Sequence, residues 1–362
     1  MVISSHSTIN GTRISFNNQC QPRCFEGFAG GGGFSLAARN VGFLGKYKLD
    51  LAPSAIETLR HNFPDSTVFH MDIRDFNEQQ RRGMMNLSSS HVDFLPLSPP
   101  CNAFSAVNTS GGCRDIQNSN CTLESIETIR LLQPSHVTME NVSGILHENR
   151  KQVSVAERTN RSYLQEFMCG LLAQEFQIRL CKRLNAKHYG DPQDRERVVV
   201  FATKRGYALP QAPLPTHGNE PNLKKIVTTR DVLQDLENIE PTDSGIVILN
   251  DGSEAHGHFI QGTNRIHNHE PDEELHSDLP SRTVRKKNRL VHYNRKRNAT
   301  VLERARLMSF PDNHVFKGTQ AQQADQIGNA IPLKLGTAIA NAVMESFRLG
   351  LHEPPLEPTY FY

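Results

Sequence analysis

The sequence has little net charge, no long apolar run and no paired cysteine motif. Its 362 residues include 40 Lys and Arg against 38 Asp and Glu, a net charge of +2, so no overall attraction to nucleic acid or membrane is expected. No segment approaches the ~18–20 apolar residues of a transmembrane helix, and the first ten residues lack the charged-then-apolar order of a signal peptide. We therefore expect a soluble, intracellular protein in which a local basic patch binds any polyanion.

The cysteines exclude two common kinds of small scaffold. They occur at positions 20, 24, 101, 113, 121, 169 and 181, an odd set without CxxC spacing. Such a set indicates neither a disulfide framework nor a zinc ribbon. We therefore expect most of them to be free thiols, at least one of which is available for chemistry.

Over the first two hundred residues, short apolar runs alternate with turns and with periodic helical segments. This alternation is typical of βαβ units and predicts an α/β fold with a parallel sheet. Strands are predicted at 23–28, 45–49, 67–71, 92–97, 136–139, 176–184 and 198–202. Helices are predicted at 34–40, 55–62, 123–132, 163–175, 229–236, 301–309 and 333–347.

The composition changes after residue 206. From Tyr207 to Asp278 the chain is rich in proline, histidine and mixed charges with weak periodicity, which predicts an inserted second domain. We divide the chain into a first domain at 1–206, the inserted domain at 207–278, a C-terminal segment at 279–350 and a tail at 351–362. The only dense basic run, Arg285–Arg297, follows the inserted domain.

A glycine-rich turn joins the first predicted strand to the first predicted helix. Gly30, Gly31, Gly32 and Gly33 form this turn, and Asp50 ends the next strand. This pattern is typical of adenosine-cofactor sites, because glycines let the backbone approach the ligand and the acid accepts hydrogen bonds from ribose hydroxyls. The turn lacks GxGxxG spacing and a P-loop lysine, so an adenosine cofactor other than a dinucleotide or ATP is favoured. A flexible turn without a ligand is the alternative.

Two strand ends carry candidate catalytic groups. Cys101 follows Ser98-Pro99-Pro100 at the end of one predicted strand, and Glu140 ends another. Open α/β sheets bind ligands at this edge, the prolines fix the backbone before the thiol, and a strand-end carboxylate needs a partner or a cleft. The pair therefore predicts a nucleophile beside a proton donor. An inert thiol and a paired structural acid are the alternatives.

Two arginines precede the last predicted strand of the first domain. Arg195 and Arg197 are two residues apart, so an extended backbone puts them on one face. Two guanidinium groups on one face can hold a substrate carbonyl or a phosphate, whereas a solvated charge ladder is the structural alternative.

Six motifs along the chain occur in an order that resembles the cytosine C5 DNA methyltransferases. They are Phe28–Gly33, Ser98–Cys101, Glu140–Val142, Asn185–Arg197, Arg306–Asp312 and Gln326–Pro332. The resemblance spans nearly the whole chain. It implies a Rossmann-like S-adenosylmethionine-dependent methyltransferase fold, with a mostly parallel sheet, helices on both faces and a small, irregular target recognition domain at 207–278. The loop after Cys101 is also similar to that of small fungal members.

The same resemblance implies methylation of a cytosine that is flipped out of double-stranded DNA. The Cys101 thiolate would add to cytosine C6 while Glu140 protonates N3, which activates C5 for methylation. Loss of the C5 proton would then release the thiol. Arg195 and Arg197 would hold the O2 side of the base, and Asn141 would support the Glu140 loop.

The resemblance also implies S-adenosylmethionine as the cofactor and assigns residues to it. They are Phe28 near the adenine, Gly30, Gly32 and Gly33 near the methionine moiety, Asp50 at the ribose hydroxyls, Asp72 at the adenine amino group, Leu123 over the ring, and Asn329 from the C-terminal motif. The chain departs from the family pattern at Glu26, Ala52 and Asn102, where the family usually has Asp, a second acid and Gln. None of these changes removes a catalytic group.

The inserted domain would read base edges in the DNA major groove. Its His256-Gly257-His258 and His267-Asn268-His269 pairs lack cysteines and lie in a loop-like region, so we interpret them as surface histidines and expect no metal. The run Arg285–Arg297 is better placed for DNA phosphates, with a solvated charged hairpin as the alternative. It also resembles a nuclear import signal, which predicts the nucleus, or the cytoplasm if the source is prokaryotic.

Two other functions are compatible with these motifs. One branch of the family methylates a tRNA cytosine and usually carries a Cys-Phe-Thr signature in the small domain, but residues 207–278 contain no cysteine, which favours DNA. A catalytically silent regulatory paralogue is the other alternative. The intact Cys101, Glu140, Arg195 and Arg197 favour an enzyme.

Overall fold

The structure is a computed structural model that describes residues 21–85, 87, 92–100, 113–146, 162–259, 272–286, 289–294 and 297–350. Seven strands form one sheet in the order β3-β2-β1-β4-β5-β7-β6. They are β1 (Arg23–Gly27), β2 (Leu44–Asp50), β3 (Thr67–His70), β4 (Phe94–Leu97), β5 (His136–Asn141), β6 (Phe176–Asn185) and β7 (Glu196–Lys204). Strands β1 to β5 pair in parallel, and β7 is antiparallel to both neighbours.

Helices cover both faces of this sheet. The α-helices of the described residues are α1 (Gly33–Val41), α2 (Pro53–Asn62), α3 (Ile73–Arg81), α4 (Cys113–Leu132), α5 (Tyr163–Ala173), α6 (Thr229–Leu233), α7 (Val301–Leu307), α8 (Gln320–Asn329) and α9 (Leu333–Leu349), of which α6 packs on α7, α7 on α8 and α8 on α2. Because neighbouring strand residues point to opposite faces, Cys24 packs with α1 and α9, whereas Phe25 packs with α3, α4 and α5. The predicted α/β fold, with a mostly parallel sheet between helices, is confirmed.

Two helices were not expected from the sequence, and both are polar. Helix α3 is capped by Asp72, the residue before its first turn, whose side chain accepts a hydrogen bond from the Arg74 backbone. Helix α8 begins with a capping box between Thr319 and Gln322 and buries glutamines rather than a regular apolar stripe. Sequence periodicity misses such helices because it depends on apolar residues.

The inserted region contains more strands than expected. The hairpin of β8 (Ile246–Ile248) and β9 (Glu254–His256) is antiparallel, and β10 (Asp272–Glu274) pairs in parallel with β11 (Arg289–Val291). The boundary that we predicted at 278 therefore falls between two strands that pair with each other.

The C-terminal segment returns to the sheet through α9. This helix packs against α1, where a Cβ added to Gly336 would lie 3.1 Å from the Ala37 Cβ. Its first turn donates two backbone hydrogen bonds to the buried Asp191 carboxylate, from Lys334 at 3.1 Å and from Leu335 at 2.9 Å. Within the described ranges, no helix has the length and apolar character needed to cross a membrane.

Candidate active site

A carboxylate and a guanidinium group meet at the ends of two neighbouring strands. Glu140 in β5 lies opposite Val199 of β7, and Arg197 is at the start of β7. The Arg197 Nε donates to Glu140 Oε1 over 2.7 Å, with side chains 8% and 12% exposed. The small exposure limits screening by water, so the ion pair fixes the orientation of the carboxyl group.

Asn141 connects this pair to the segment that leads to Cys101. Its side chain is buried, donates from Nδ2 to the Pro99 carbonyl over 3.1 Å, and accepts from the Val142 backbone over 2.9 Å. Cys101 itself lies outside the described residues, so its position beside Glu140 stays a prediction.

Arg195 has different partners from Arg197. It is 2% exposed and donates to the carbonyls of Val284, Gly328 and Ala330. The expectation that both arginines hold the base stays a prediction, but these contacts assign the two side chains to different surroundings.

Within the glycine turn, Gly30 has space beside its Cα that no described residue fills. Phe28 and Gly30 have positive φ angles of 60° and 52°, and a Cβ added to Gly30 would have no atom within 4 Å. In contrast, a Cβ at Gly32 would lie 2.6 Å from Phe63, and one at Gly33 would lie 3.1 Å from the Ile331 carbonyl oxygen. Packing therefore requires glycine at positions 32 and 33. At Gly30 the backbone stays accessible to a ligand, beside Phe28 with its strained backbone.

Asp50 holds the glycine turn from the end of β2. Its Oδ2 accepts from the Gly30 backbone over 2.7 Å, and its Oδ1 accepts from the Ala52 backbone over 2.8 Å. Burial raises the pKa of Asp50, and these hydrogen bonds oppose that shift. Each carboxylate oxygen keeps a second lone pair, so Asp50 can also accept from a pair of hydroxyl groups.

A second acceptor lies at the end of β3. Arg74 donates to both oxygens of Asp72, over 2.8 and 2.7 Å, and this hydrogen bonding lowers the pKa of Asp72. The carboxylate therefore remains ionised and able to accept an amino hydrogen. Leu123 is half-buried on α4, which packs on α3 through a 3.1 Å hydrogen bond from Asn77 to the Glu124 carbonyl.

Asn329 is exposed at the C-terminal end of α8. The preceding residue, Gly328, packs so tightly that an added Cβ would lie 2.5 Å from the Lys286 nitrogen. Asn329 therefore presents an amide group from a closely packed helix end.

His314 contacts the glycine turn and was missed by the sequence analysis. It is 5% exposed, and its Nε2 lies 2.9 Å from the Gly31 carbonyl oxygen, so the neutral ring donates there. Burial lowers the pKa of His314 to about 4, which keeps the ring neutral. Beside it, the Asn62 side chain pairs with both backbone groups of Val315, at 2.8 and 3.0 Å. Only its place two residues after Phe310-Pro311-Asp312 could have drawn attention to it.

These residues fit S-adenosylmethionine. Asp50 and Asp72 supply acceptors at two neighbouring strand ends, and Gly30 leaves backbone open between them and β1. A carboxylate suits ribose hydroxyls, and an ionised acceptor suits an amino group. The assignment of each of these residues to a part of the cofactor stays a prediction, as do those of Phe28, Leu123 and Asn329.

One arginine of the basic run and one histidine of the first pair have partners within the protein. Arg297 forms two hydrogen bonds with the buried Glu303, at 2.9 and 2.7 Å, so this arginine supports α7. The interpretation of His258 as a surface histidine is wrong, because the residue is buried between the Thr300 hydroxyl and the Ile239 carbonyl, each at 3.0 Å. Among the residues that the structure describes, no three His, Cys, Asp or Glu side chains form a group that could hold a metal ion. The second pair, His267 and His269, lies outside them.

Comparison with known proteins identifies relatives along the whole chain. The family model "C-5 cytosine-specific DNA methylase" matches residues 23–345. The Type II methyltransferase M1.HphI of Haemophilus parahaemolyticus is 28% identical over 339 residues, covering 88% of this chain and 85% of the relative. The Type II methyltransferase M.AplI of Arthrospira platensis is 27% identical over 361 residues, covering 97% and 92%.

A solved structure shares the fold. It is described as a DNA modification methyltransferase encoded within an E. coli prophage, and it superposes with a TM-score of 0.70 at 19% identity. The match covers 91% of this chain and all of that chain. At this identity the likeness supports the fold alone.

Proposed function

Because the chain belongs to the C-5 cytosine-specific DNA methylase family, whose methyl donor is S-adenosylmethionine, we propose that Cys101 forms a covalent adduct with a cytosine flipped out of duplex DNA. The activity of the chain is that of a cytosine C5 DNA methyltransferase.

The chemistry requires C5 of cytosine, a poor nucleophile, to become electron-rich. The Cys101 thiolate bonds to C6 while Glu140 donates a proton to N3, so electron density moves to C5. S-adenosylmethionine, when bound, supplies an electrophilic methyl group. A base then takes the C5 proton, the electrons of the C5–H bond form the C5=C6 double bond as the C6–S bond breaks, and Cys101 leaves as the thiolate. N3 returns its proton to Glu140. Arg197 keeps Glu140 aimed at the base throughout.

One observation carries this proposal. Glu140 is held by Arg197 at 2.7 Å, and the adjacent Asn141 holds Pro99, two residues before the nucleophile. The same strand end therefore orients the acid and supports the chain that carries the thiol. Both contacts lie within the protein, so they support a mechanism in which Glu140 and the Pro99 carbonyl are fixed before the base binds.

The family match supports DNA methylation over the tRNA and silent-paralogue alternatives. The nuclear location stays a prediction from the basic run, and M1.HphI and M.AplI are bacterial proteins. For the domains, we propose catalysis and cofactor binding by residues 1–206, target recognition by 207–278 and completion of the first domain by 279–350.

A trapping experiment tests the covalent step. Full-length protein is incubated with S-adenosylmethionine and genomic DNA in which 5-fluorocytosine replaces cytosine, since fluorine at C5 cannot leave as a proton. We expect a denaturant-stable complex with the wild type and with Cys169→Ser, which alters an exposed thiol, but none with Cys101→Ser. Absence of a wild-type complex would reject the mechanism, and a stable complex with Cys101→Ser would reject the choice of nucleophile.

A further inference from the structure

Arg195 holds the two carbonyls that flank Asn329. Its Nη2 donates to the Gly328 carbonyl over 3.0 Å and to the Ala330 carbonyl over 2.9 Å. Arg195 is 2% exposed, so these hydrogen bonds form away from bulk water. Asn329, which lies between the two acceptors, is exposed.

The other side of the guanidinium group fixes the chain that leaves the inserted region. Arg195 Nη1 donates to the Val284 carbonyl over 2.7 Å, and the Val284 nitrogen donates to Gln193 Oε1 over 3.0 Å. The neighbouring backbone at 285–286 packs directly on Gly328, where no Cβ fits. The end of α8 is therefore held from two sides, by a planar fork of donors and by a backbone contact.

The chemistry of arginine suits this arrangement. Its rigid fork can serve three carbonyls in one plane, whereas a lysine ammonium group is a point charge on a flexible stem. Arg195 is also two residues from Arg197, which holds Glu140. One short segment therefore fixes the substrate-side acid with one arginine and the end of α8 with the other.

We propose that Arg195 is a positioning residue for the cofactor, which it serves by fixing Asn329, and that it does not hold the cytosine. This inference deepens the proposed function, because it assumes that Asn329 contacts S-adenosylmethionine. If it is correct, experiments can distinguish the effect of substituting Arg195 from the effect of substituting Arg197. Arg195 acts on cofactor binding before DNA is present, and Arg197 acts on the reaction of bound cytosine.

Calorimetric titration of S-adenosylmethionine into the DNA-free, full-length protein tests this separation. We expect Arg195→Met to raise Kd about 10-fold, Arg195→Lys to raise it less, and Arg197→Met to leave it within about twofold. Asn329→Ala should weaken binding to a similar extent. The Kd of the double variant Arg195→Met/Asn329→Ala should be no higher than the higher Kd of the two single variants, because both substitutions remove the same contact with the cofactor.

The possible outcomes are distinct. Additive losses in the double variant would show that Arg195 supports the fold without acting through Asn329, and would overturn the inference. Unchanged Kd in both Arg195 variants, with methyl transfer lost, would assign Arg195 to the cytosine instead. Thermal unfolding identifies a misfolded Arg195→Met, in which case Arg195→Lys decides. If the wild type does not bind S-adenosylmethionine, the proposed function fails first, and this inference fails with it.

Discussion

Arg197 holds Glu140 by a 2.7 Å hydrogen-bonded ion pair across neighbouring strands, and both side chains are nearly closed to solvent. Removing either partner leaves an unpaired charge in a site with little water, which costs far more than an exposed pair is worth. The pair therefore has two consequences that can be measured separately, one on stability and one on catalysis.

We predict that Arg197→Met destabilises the protein by about 3 kcal/mol, because Glu140 is left without its partner. Methyl transfer to DNA should also fall, by about 100-fold or more, since the acid is no longer aimed at the base. Urea unfolding measures the first effect, and transfer of tritiated methyl groups measures the second.

The double variant Arg197→Met/Glu140→Gln is the matched control. It removes the charge that Arg197→Met leaves unpaired, so it should recover most of the stability while remaining inactive. Recovery of activity in the double variant would contradict the assignment of Glu140 as the acid.

Asn141 provides a second test, because its amide donates to the Pro99 carbonyl. We predict that Asn141→Asp lowers the rate of adduct formation with 5-fluorocytosine DNA about 10-fold, since an ionised aspartate cannot donate to that carbonyl. Affinity for S-adenosylmethionine should be unchanged, because the glycine turn is on another strand. Asn141→Ala should behave similarly, and full activity in both variants would contradict a supporting role.

Substitutions of His314 should change the affinity for S-adenosylmethionine. His314→Phe removes the donor to the Gly31 carbonyl and should raise the Kd of S-adenosylmethionine about 10-fold. His314→Gln retains a side-chain donor and should bind more tightly than the phenylalanine variant. Titration of the DNA-free protein compares them, and equal affinity in both variants and the wild type would show that this contact does not hold the turn.

Local chemistry made much of the fold predictable. Gly42, with φ of 103°, follows the end of α1 at Val41, one residue beyond the predicted end, and β2 and β5 end at Asp50 and Asn141, within two residues of the predicted ends. Such boundaries depend on the backbone preferences of a few neighbouring residues, and these preferences follow from the residue types in the sequence. The candidate site follows because parallel strands bring their carboxyl ends to one edge.

The partners of individual side chains were not predictable in the same way. Arg195 meets carbonyls 89 to 135 residues further along the chain, and His314 meets Gly31 across 283 residues. These contacts depend on how the C-terminal segment packs against the sheet, and the periodicity of apolar residues in the sequence does not predict that packing. The arginine spacing predicted a common face, whereas the packing gave the two guanidinium groups different partners.

The buried network below the glycine turn has a pH dependence. Glu26 is 5% exposed and accepts from the Ser35 hydroxyl, and it pairs in register with the fully buried Lys48 on β2. The Lys48 ammonium group donates to the Gly45 carbonyl and to the Ser66 hydroxyl, each over 2.9 Å. Burial raises the pKa of Glu26 to about 7, above its ordinary value of 4.5, although Ser35 and Lys48 oppose the shift.

We predict that Glu26→Gln becomes more stable relative to the wild type as pH rises from 5 to 8. A carboxyl whose pKa is raised by folding stabilises the protein below its unfolded pKa, and that contribution is lost as pH rises through the folded pKa. The difference in unfolding free energy between the two proteins should therefore change by up to about 3 kcal/mol over this range. Urea unfolding at both pH values measures it, with Glu57→Gln on the exposed side of α2 as the control. Titrating groups that do not interact with Glu26 cancel because both proteins contain them. A constant difference would show that Glu26 ionises as readily in the fold as in the unfolded chain.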